Sequence, residues 1–490
     1  LGMIIDETLS WRPHIEKTKI DTQRCLQLFK VISASKHVKN RSTLIALHQA
    51  LVLSRLEYGD IIYGSSAKSW LEKLNPIHSS SLRSISATHR LSYETDIMID
   101  NNMELLSFRR EKHCIAYATK ILAMPHHPLF EALKPVNNQK FVNARKKPFT
   151  FRALKIMEEY SINHKSDSII VSTAPTWQIK NLRTNNDMKL MKKEDMVPSI
   201  VQKHFQIIKN RHRRRMDRFI FTDGSKMNDK IGYGVYSSQF ETCGRLPDIC
   251  SVYTAELHAI LTALQLALDA TNMNGIALFT DSYSSVQSIQ DYQSSNPIVQ
   301  KILKMIYDHP NISFYIYWIP SHMNIYGNDK ADELAKKGLN MDISPINVPY
   351  DDAKNAAYIK YFDKWQSFWQ NNNKYHNSSH TRQMYLLHPY IGRWKVFDFE
   401  NRQTMGRITR LRHGKTNLTH DYILKSQDRP FCPGCNDLLT VRHIMDICPA
   451  YDHIRLQLGT SLYRLNGNTQ DIDNVKDFLS HPDVNLWNLI

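Results

Sequence analysis

Apolar residues between positions 218 and 337 alternate between the spacing typical of strands and the spacing typical of helices. Runs with the length and β-branched content of strands occur at 218–222, 232–237, 276–280 and 312–319. Apolar residues at helical spacing occur at 254–268, 282–292, 297–307 and 328–337. This alternation predicts a compact α/β module of single-domain size.

Four acidic residues occupy defined points of this pattern. Asp223 follows the first strand and precedes a Gly-Ser turn, and Asp281 ends the strand at 276–280. Glu256 lies in the first turn of the long helix, and Asp332 lies on the last helix. If the fold brings these carboxylates together, their like charges require divalent cations. Such a cluster is what a two-metal phosphodiester hydrolase needs.

Residues 216–340 resemble a type 1 ribonuclease H domain in the identity, order and spacing of these motifs. The resemblance implies an α/β fold with a mixed five-stranded sheet and flanking helices. It implies four metal ligands at Asp223, Glu256, Asp281 and Asp332. It also implies a mobile histidine, His322, that assists water activation or product release. Asp329 is on the same helix, but the acid of the family lies in the Ala-Asp pair, so Asp329 is expected to have a supporting role.

The resemblance also implies a reaction, the endonucleolytic hydrolysis of the RNA strand of RNA:DNA hybrids. Two Mg²⁺ ions, or Mn²⁺, would activate the attacking water and stabilise the leaving 3′-oxygen, with Asp223 as the bridging ligand. RNA would be recognised through 2′-hydroxyl groups and backbone shape. A catalytically inactive nucleic-acid-binding relic is the alternative. A DDE-type transposase or integrase is disfavoured by the positions of Glu256 and Asp332.

Residues 1–135 carry long helical patterns and conspicuous motifs such as Trp-Arg-Pro-His-Ile at 11–15 and Arg-Leu-Glu-Tyr-Gly at 55–59. This region resembles the thumb-like part that follows the palm in reverse transcriptases of non-LTR (LINE-type, Jockey- and I-like) retrotransposons. A generic basic helical bundle is the alternative. The chain contains no Tyr-x-Asp-Asp or Phe-x-Asp-Asp motif, and it begins at Leu1 inside the expected pattern. We therefore expect no polymerase active site in it.

The charge of the chain is unevenly distributed. With 63 Lys and Arg against 47 Asp and Glu, the net charge is +16, yet residues 216–342 hold 9 basic and 14 acidic residues. That segment is therefore −5 and the flanks are +21. The flanks are expected to bind the hybrid backbone and other RNA or DNA. The composition of residues 136–215 predicts a basic linker that ends in a basic cluster at 209–215. This cluster contacts phosphate, is merely exposed to solvent, or serves as a nuclear-import signal.

Three of the seven cysteines and one histidine form a C-x2-C-x7-H-x4-C pattern made of Cys432, Cys435, His443 and Cys448. This Cys₃His set suits one structural Zn²⁺, and a disulfide between the first two cysteines is the alternative. Residues 341–490 resemble the helical, zinc-knuckle-like tail of the same retroelements. The basic stretch 406–414 leaves nucleic-acid binding and a purely structural zinc both open. We expect metal to order residues 428–455, which have few apolar side chains.

The other four cysteines show no disulfide framework, which suits a reducing intracellular compartment, nucleus or cytoplasm. No apolar run reaches the length of a membrane span. Together the patterns predict four regions, at 1–135, 136–215, 216–340 and 341–490.

Overall fold

The computed structural model describes residues 2–35, 40–133, 147–160, 175–190, 197–213, 218–269, 274–375, 379–392, 402–466 and 469–490. The chain forms two compact units. The terminal unit contains Leu1–Cys114, Lys140–Arg152 and Ile359–Ile490, and the sheet unit contains Ile115–Gln139 and Ala153–Tyr358. Of the predicted basic linker, residues 136–146, 161–174, 191–196 and 214–215 lie outside the described residues.

The N-terminal part is helical, as its sequence pattern predicts. Its helices are α1 (Arg12–Ala34), α2 (Arg41–His48), α3 (Ser54–Glu57), α4 (Asp60–Tyr63), α5 (Lys68–Leu71), α6 (Asn75–Ser86), α7 (Glu94–Asp100), α8 (Leu106–Leu122) and α9 (Phe149–Glu159). A π-helical segment, Gln49–Leu53, joins α2 to α3. Ile15, Leu26 and Phe29 of α1 are buried, so the apolar side of this long helix packs within the terminal unit.

The sheet unit is built on one six-stranded mixed sheet. Its strands are β1 (Leu182–Asn185), β2 (Arg218–Met227), β3 (Lys230–Ser237), β4 (Glu241–Leu246), β5 (Gly275–Thr280) and β6 (Ser313–Trp318). They lie in the order β1-β6-β5-β2-β3-β4, with β1, β6, β5 and β2 parallel and β2, β3 and β4 antiparallel.

The predicted five-stranded mixed sheet is therefore present as β2 to β6, and the structure adds a sixth strand to it. The sixth strand, β1, comes from the segment predicted as a basic linker and pairs with β6. Its four residues, Leu-Arg-Thr-Asn, form a short and largely polar edge strand, which has no hydrophobic pattern to predict it.

Helices cover both faces of this sheet. They are α10 (Pro198–Arg213), α11 (Val252–Leu268), α12 (Tyr283–Gln290), α13 (Pro297–Asp308) and α14 (Tyr326–Gly338). One core joins the sheet to α11 and α13 through buried residues that include Ile220, Leu278, Ile260 and Ile302. β5 is buried along its whole length, as expected for a parallel strand covered on both faces.

The second core, on the opposite face, is aromatic. Phe279 stacks between Phe221 and Tyr317, with ring centroids 5.1 and 5.3 Å away. Val201 and Phe205 of α10 belong to the same buried cluster. The segment before the predicted module therefore supplies part of its core.

Two glycines in β3 set the approach of α14. A Cβ atom at Gly234 would meet the backbone of Ala331 and Ala335, and one at Gly232 would meet the carbonyl of Ala335. Gly234 is the register partner of Asp223 in β2. Because these positions lack side chains, α14 lies directly on the strand and carries Asp332 towards Asp223.

The remaining helices are α15 (Tyr350–Tyr375), α16 (Ser379–Leu387), α17 (Arg402–His413), α18 (Asn417–Lys425), α19 (Asp452–Leu458) and α20 (Thr469–Ser480). A buried cluster that includes Leu411, Met445, Ile454, Val475 and Phe478 forms a core in the terminal unit. None of the helices in the described residues is both long and apolar enough to cross a membrane.

Candidate functional site

Three of the predicted acids converge in the sheet unit. Asp223, Glu256 and Asp281 each place a carboxylate oxygen within 4.8 Å of the other two. Asp223 and Glu256 are buried, with 7% and 6% of their surface exposed, and Asp281 is partly buried. The structure therefore brings together, away from bulk solvent, three like charges from separate parts of the sequence.

Strand register explains how two of these residues meet. β2 and β5 are parallel neighbours, and Thr222 lies opposite Thr280, so Asp223 and Asp281 follow at equivalent positions. The prediction that Asp223 ends its strand is wrong, since β2 runs on to Met227. The reason is that β3 pairs with β2 as far as Met227, whereas β5 ends at Thr280. Asp223 thus lies where the parallel pairing stops.

Glu256 comes from the start of α11. Ser251 caps this helix, its hydroxyl accepting a hydrogen bond from the Thr254 N–H at 3.2 Å. Because the helix begins at Val252, Glu256 is its fifth residue, slightly beyond the predicted first turn. A Cβ atom at Gly224 would lie 2.9 Å from the Glu256 nitrogen. The glycine after Asp223 therefore allows the helix to approach the strand closely.

Burial and mutual repulsion make these carboxyls reluctant to ionise. Burial, followed by the charges of Asp281 and Asp332, raises the pKa of Asp223 to about 8. Burial, followed by Asp223 and Asp281, raises the pKa of Glu256 well above its usual value. Burial also raises the pKa of Asp281, although the nearby His322 and a hydrogen bond with Asn328 oppose the rise. A cation among the three would relieve this repulsion.

Asp332 lies beside Asp223 but outside the close group of three. Its carboxylate accepts a hydrogen bond from Lys336, one turn later on α14, at 2.6 Å. Asp329 lies in the first turn of α14, where a negative charge stabilises the helix dipole. The assignment of Asp332 as a fourth ligand stays a prediction.

His322 lies in the loop between β6 and α14. Its side chain is exposed, and its backbone has a left-handed φ of 58°. The histidine is close enough to Asp281 to lower the pKa of that carboxyl. The structure thus places the predicted histidine at the edge of the acid cluster, on a loop and not on a rigid element.

Three further residues support the cluster and were not predicted. Asn328 lies beside Asp281 and lowers the pKa of that carboxyl, and Lys336 donates a hydrogen bond to Asp332. Trp318, the last residue of β6, donates from Nε1 to the Asp281 carbonyl oxygen at 2.8 Å. The sequence carries a weak signal for two of them, since Asn328 precedes Asp332 by four residues and Lys336 follows it by four, which is one helical face. Trp318 has no such signal.

Residues 215–340 match the family model described as RNase H. These residues form an RNase H domain. Over 140 residues the chain is 27% identical to ribonuclease H1 of Mus musculus, covering 24% of this chain and 49% of the relative. The chain thus spans about half the length of that curated relative. The chain is also similar to the crystal structure of RNase H1 from the halophilic archaeon Halobacterium salinarum NRC-1. The two are 18% identical, the match covers 25% of this chain and 98% of that chain, and the TM-score is 0.21.

A second cluster, outside the RNase H domain, consists of Cys432, Cys435, His443 and Cys448. One ligand atom from each lies within 4.8 Å of the others. The Cys448 Sγ is 3.6 Å from that of Cys432 and 3.7 Å from that of Cys435, and the latter is 3.1 Å from His443 Nε2. Tetrahedral Zn²⁺ with Zn–S bonds of about 2.3 Å separates sulfurs by about 3.8 Å. The four side chains could therefore hold zinc.

Neither of the two sulfur–sulfur distances is compatible with a disulfide, which needs sulfurs about 2.05 Å apart. All seven cysteines are free, so the alternative pairing of Cys432 with Cys435 is not formed in this structure.

The Cys/His cluster has its own hydrophobic surroundings, contrary to the expectation for residues 428–455. Leu439, Val441, Ile444, Met445 and Ile454 are buried in a core shared with α17 and α20. The expectation was wrong because it counted only the local stretch, whereas the apolar partners lie up to Ile490. The buried Arg455 also holds this stretch. Its guanidinium donates to the backbone carbonyls of Ile444 at 3.1 Å and Cys448 at 2.6 Å.

The basic stretch around α17 is also largely internal. The fully buried Arg412 donates from Nε to the Leu465 carbonyl at 2.8 Å. Arg410 donates to the carbonyls of Ala87 at 3.2 Å and Ile490 at 2.6 Å, and Arg402 donates to that of Ser84 at 2.6 Å. These cations hold the two ends of the terminal unit together. They are therefore poor candidates for phosphate contacts.

Proposed function

We propose that this chain hydrolyses the RNA strand of RNA:DNA hybrids endonucleolytically, at a site formed by Asp223, Glu256 and Asp281 with Asp332 beside them. The observation that carries the proposal is the convergence of three carboxylates, at least two of them buried, inside an RNase H domain. A purely structural role for this group is hard to reconcile with the raised pKa values, because clustering like charges in a core opposes folding.

The donor set fits divalent cations such as Mg²⁺. All three ligands are hard carboxylate oxygens, and the buried Oε2 of Glu256 has no hydrogen-bond partner among the described residues. Two bound cations would supply Lewis acidity to the attacking water and to the leaving 3′-oxygen. Asp223 and Asp281, fixed by adjacent strands, would hold the metal site in place, and Glu256 would close it from α11. His322, at the exposed edge, would move protons to or from solvent near Asp281.

Cleavage of a labelled hybrid by the full chain, with Mg²⁺ and with EDTA, tests the proposal. We expect Mg²⁺-dependent internal cuts in the RNA strand that leave 3′-hydroxyl ends, and no cuts in RNA or DNA duplexes of the same sequence. An intact hybrid at saturating protein and Mg²⁺ would instead favour the inactive, nucleic-acid-binding alternative. Asp223→Asn serves as the matched inactive control, since it keeps the shape of the side chain.

We further propose that the chain derives from a non-LTR retrotransposon polyprotein. Support comes from the thumb-like motifs of residues 1–135, the basic segment at 136–215, the RNase H domain and the zinc-knuckle-like spacing in residues 341–490. In this proposal the basic flanks bind the hybrid backbone. Arg410 and Arg412 of α17 are excluded from that role by their internal hydrogen bonds, so exposed residues such as Lys203 and Arg211 on α10 are better candidates.

For the Cys/His cluster we propose one structural Zn²⁺. The spacing of its sulfurs suits a tetrahedral ion, and the surrounding core suits a structural role better than a nucleic-acid-binding one.

A further inference from the structure

The loop that carries His322 has an unusual backbone. His322 and Asn324 both have left-handed conformations, with φ of 58° and 53°, although neither is glycine. Few residues with a Cβ adopt this conformation, and histidine and asparagine are among the more tolerant, so contacts from other elements help to hold the loop. The position of the imidazole beside Asp281 depends on those contacts.

One such contact comes from α10, which precedes the segment that matches the RNase H family. The Gln202 side-chain amide donates to the carbonyl oxygen of Met323 at 3.0 Å and to that of Asn324 at 3.2 Å. A primary amide has two N–H donors, so one side chain can make both bonds. The two carbonyls belong to the residues that immediately follow His322.

Gln202 is well suited to act as a fixed anchor. Its neighbour Val201 is fully buried, and Phe205, nearly one turn later, packs 5.2 Å from the Phe279 ring. These contacts attach α10 to the aromatic face of the sheet. Because α10 is packed on the sheet, the hydrogen bonds from Gln202 hold the loop of His322 at a fixed place relative to the sheet. Asp281, which follows β5, is held by the same sheet.

We propose that Gln202 is a positioning residue for His322: it holds the loop so that the imidazole stays beside the acid cluster. This inference rests on the proposed hydrolysis of hybrids. Gln202 lies thirteen residues before position 215, where the match to the RNase H family begins. The inference therefore makes a segment outside the family match part of the active unit.

Steady-state hybrid cleavage by the full chain tests the role of the amide. Gln202→Ala removes both donors, and Gln202→Glu keeps the size of the side chain but places a carboxylate against two carbonyl oxygens. We expect kcat to fall about fivefold in each, because both hydrogen bonds to the loop are lost, with KM unchanged. Gln206→Ala, an exposed glutamine one turn further along α10, is the matched control and should behave as the parent protein.

The double variant Gln202→Ala/His322→Ala separates positioning from a general structural role. If Gln202 acts through His322, the double variant should be no slower than His322→Ala alone. A further fivefold loss in that background, or kcat of Gln202→Ala and Gln202→Glu equal to the parent, would overturn the inference. Failure of the proposed function is recognised separately, because the parent protein would then be inactive or Asp223→Asn would cleave as fast as the parent.

Discussion

The acid cluster and the Cys/His cluster are both sets of metal-ligand residues, but they are held in place by different means. Asp223 lies on a strand, Asp281 directly follows a strand and Glu256 lies on a helix, so the sheet and its helix fix them whether or not a cation is bound. The Cys/His ligands lie within 17 residues of one segment, most of which has no regular strand or long helix. In the first site the fold holds together carboxylates that repel one another, whereas in the second the ligands suit a metal and the segment that carries them packs on a hydrophobic core.

This difference predicts opposite consequences of losing metal. At the acid cluster, loss should abolish chemistry and leave the fold, because hydrogen-bonded strands and two cores hold it. At the Cys/His cluster, loss should disturb local order and leave the chemistry. Four measurements test this comparison.

The largest expected effect is that of Asp223→Asn on hybrid cleavage. Removing this charge from the centre of the cluster should lower kcat about a thousandfold or more, because cation binding is lost. Thermal unfolding should show a protein at least as stable as the parent, since one repulsive carboxylate is gone. Cleavage at the parent rate would remove Asp223 from the site, and a large drop in unfolding temperature would contradict the idea that the sheet alone fixes it.

His322→Ala should have a smaller effect on the same reaction. The side chain is exposed and sits at the edge of the cluster, so we expect kcat to fall about tenfold, below the usual range for an essential general acid or base. Ser321→Ala, an exposed neighbour in the same loop, is the control. A complete loss of cleavage in His322→Ala would show that the histidine is as essential as the acids.

The pH dependence of stability without metal gives a third test. In the unfolded chain Asp223 ionises near its usual pKa of 3.8, but in the folded protein its pKa is about 8. The folded state therefore keeps the Asp223 proton to a higher pH than the unfolded state does. The contribution of this proton to the free energy of unfolding is complete below about pH 4 and is lost as the pH rises through 8. In EDTA, the unfolding temperature of the parent should fall more steeply over this window than that of Asp223→Asn. Parallel curves for the two proteins would contradict the raised pKa.

Cys435→Ser should have the smallest effect on cleavage. Metal analysis of protein purified without chelator should give about one zinc per parent chain and none in the variant, whereas Cys25→Ser should retain it. Hydrogen exchange should become faster near residues 431–451 only, because the surrounding core remains. Cleavage should be unchanged. Zinc retained by the variant would reject the ligand set, and lost cleavage would show that the two clusters are not independent.

Much of the acid site was predictable because each of its residues lies in a local motif. The strand before Asp281 and the helix bearing Asp332 also followed from hydrophobic spacing, with small errors at their ends. β1 could not be predicted, since four mostly polar residues at a sheet edge leave no pattern. Nor could the cover provided by α10, because Val201 and Phe205 find their partners only after the sheet has formed.

The basic residues of α17 show a different limit. A sequence records that arginines are present but not whether their donors face solvent or backbone carbonyls. In Arg412 the guanidinium is fully buried, and it bonds a carbonyl 53 residues away. Composition alone therefore overestimated the positive surface of this region.

The arrangement of the terminal unit also has a consequence in time. Its first part ends at Cys114, while the arginines that bond to the carbonyls of Ser84 and Ala87 begin at Arg402. At about 5–20 residues per second, a ribosome needs roughly 15–60 s to make the intervening chain. Throughout that interval the helices before Cys114 lack these arginine partners, while the sheet unit can complete its own cores. The helices before Cys114 therefore obtain these arginine partners only after the sheet unit has been synthesised.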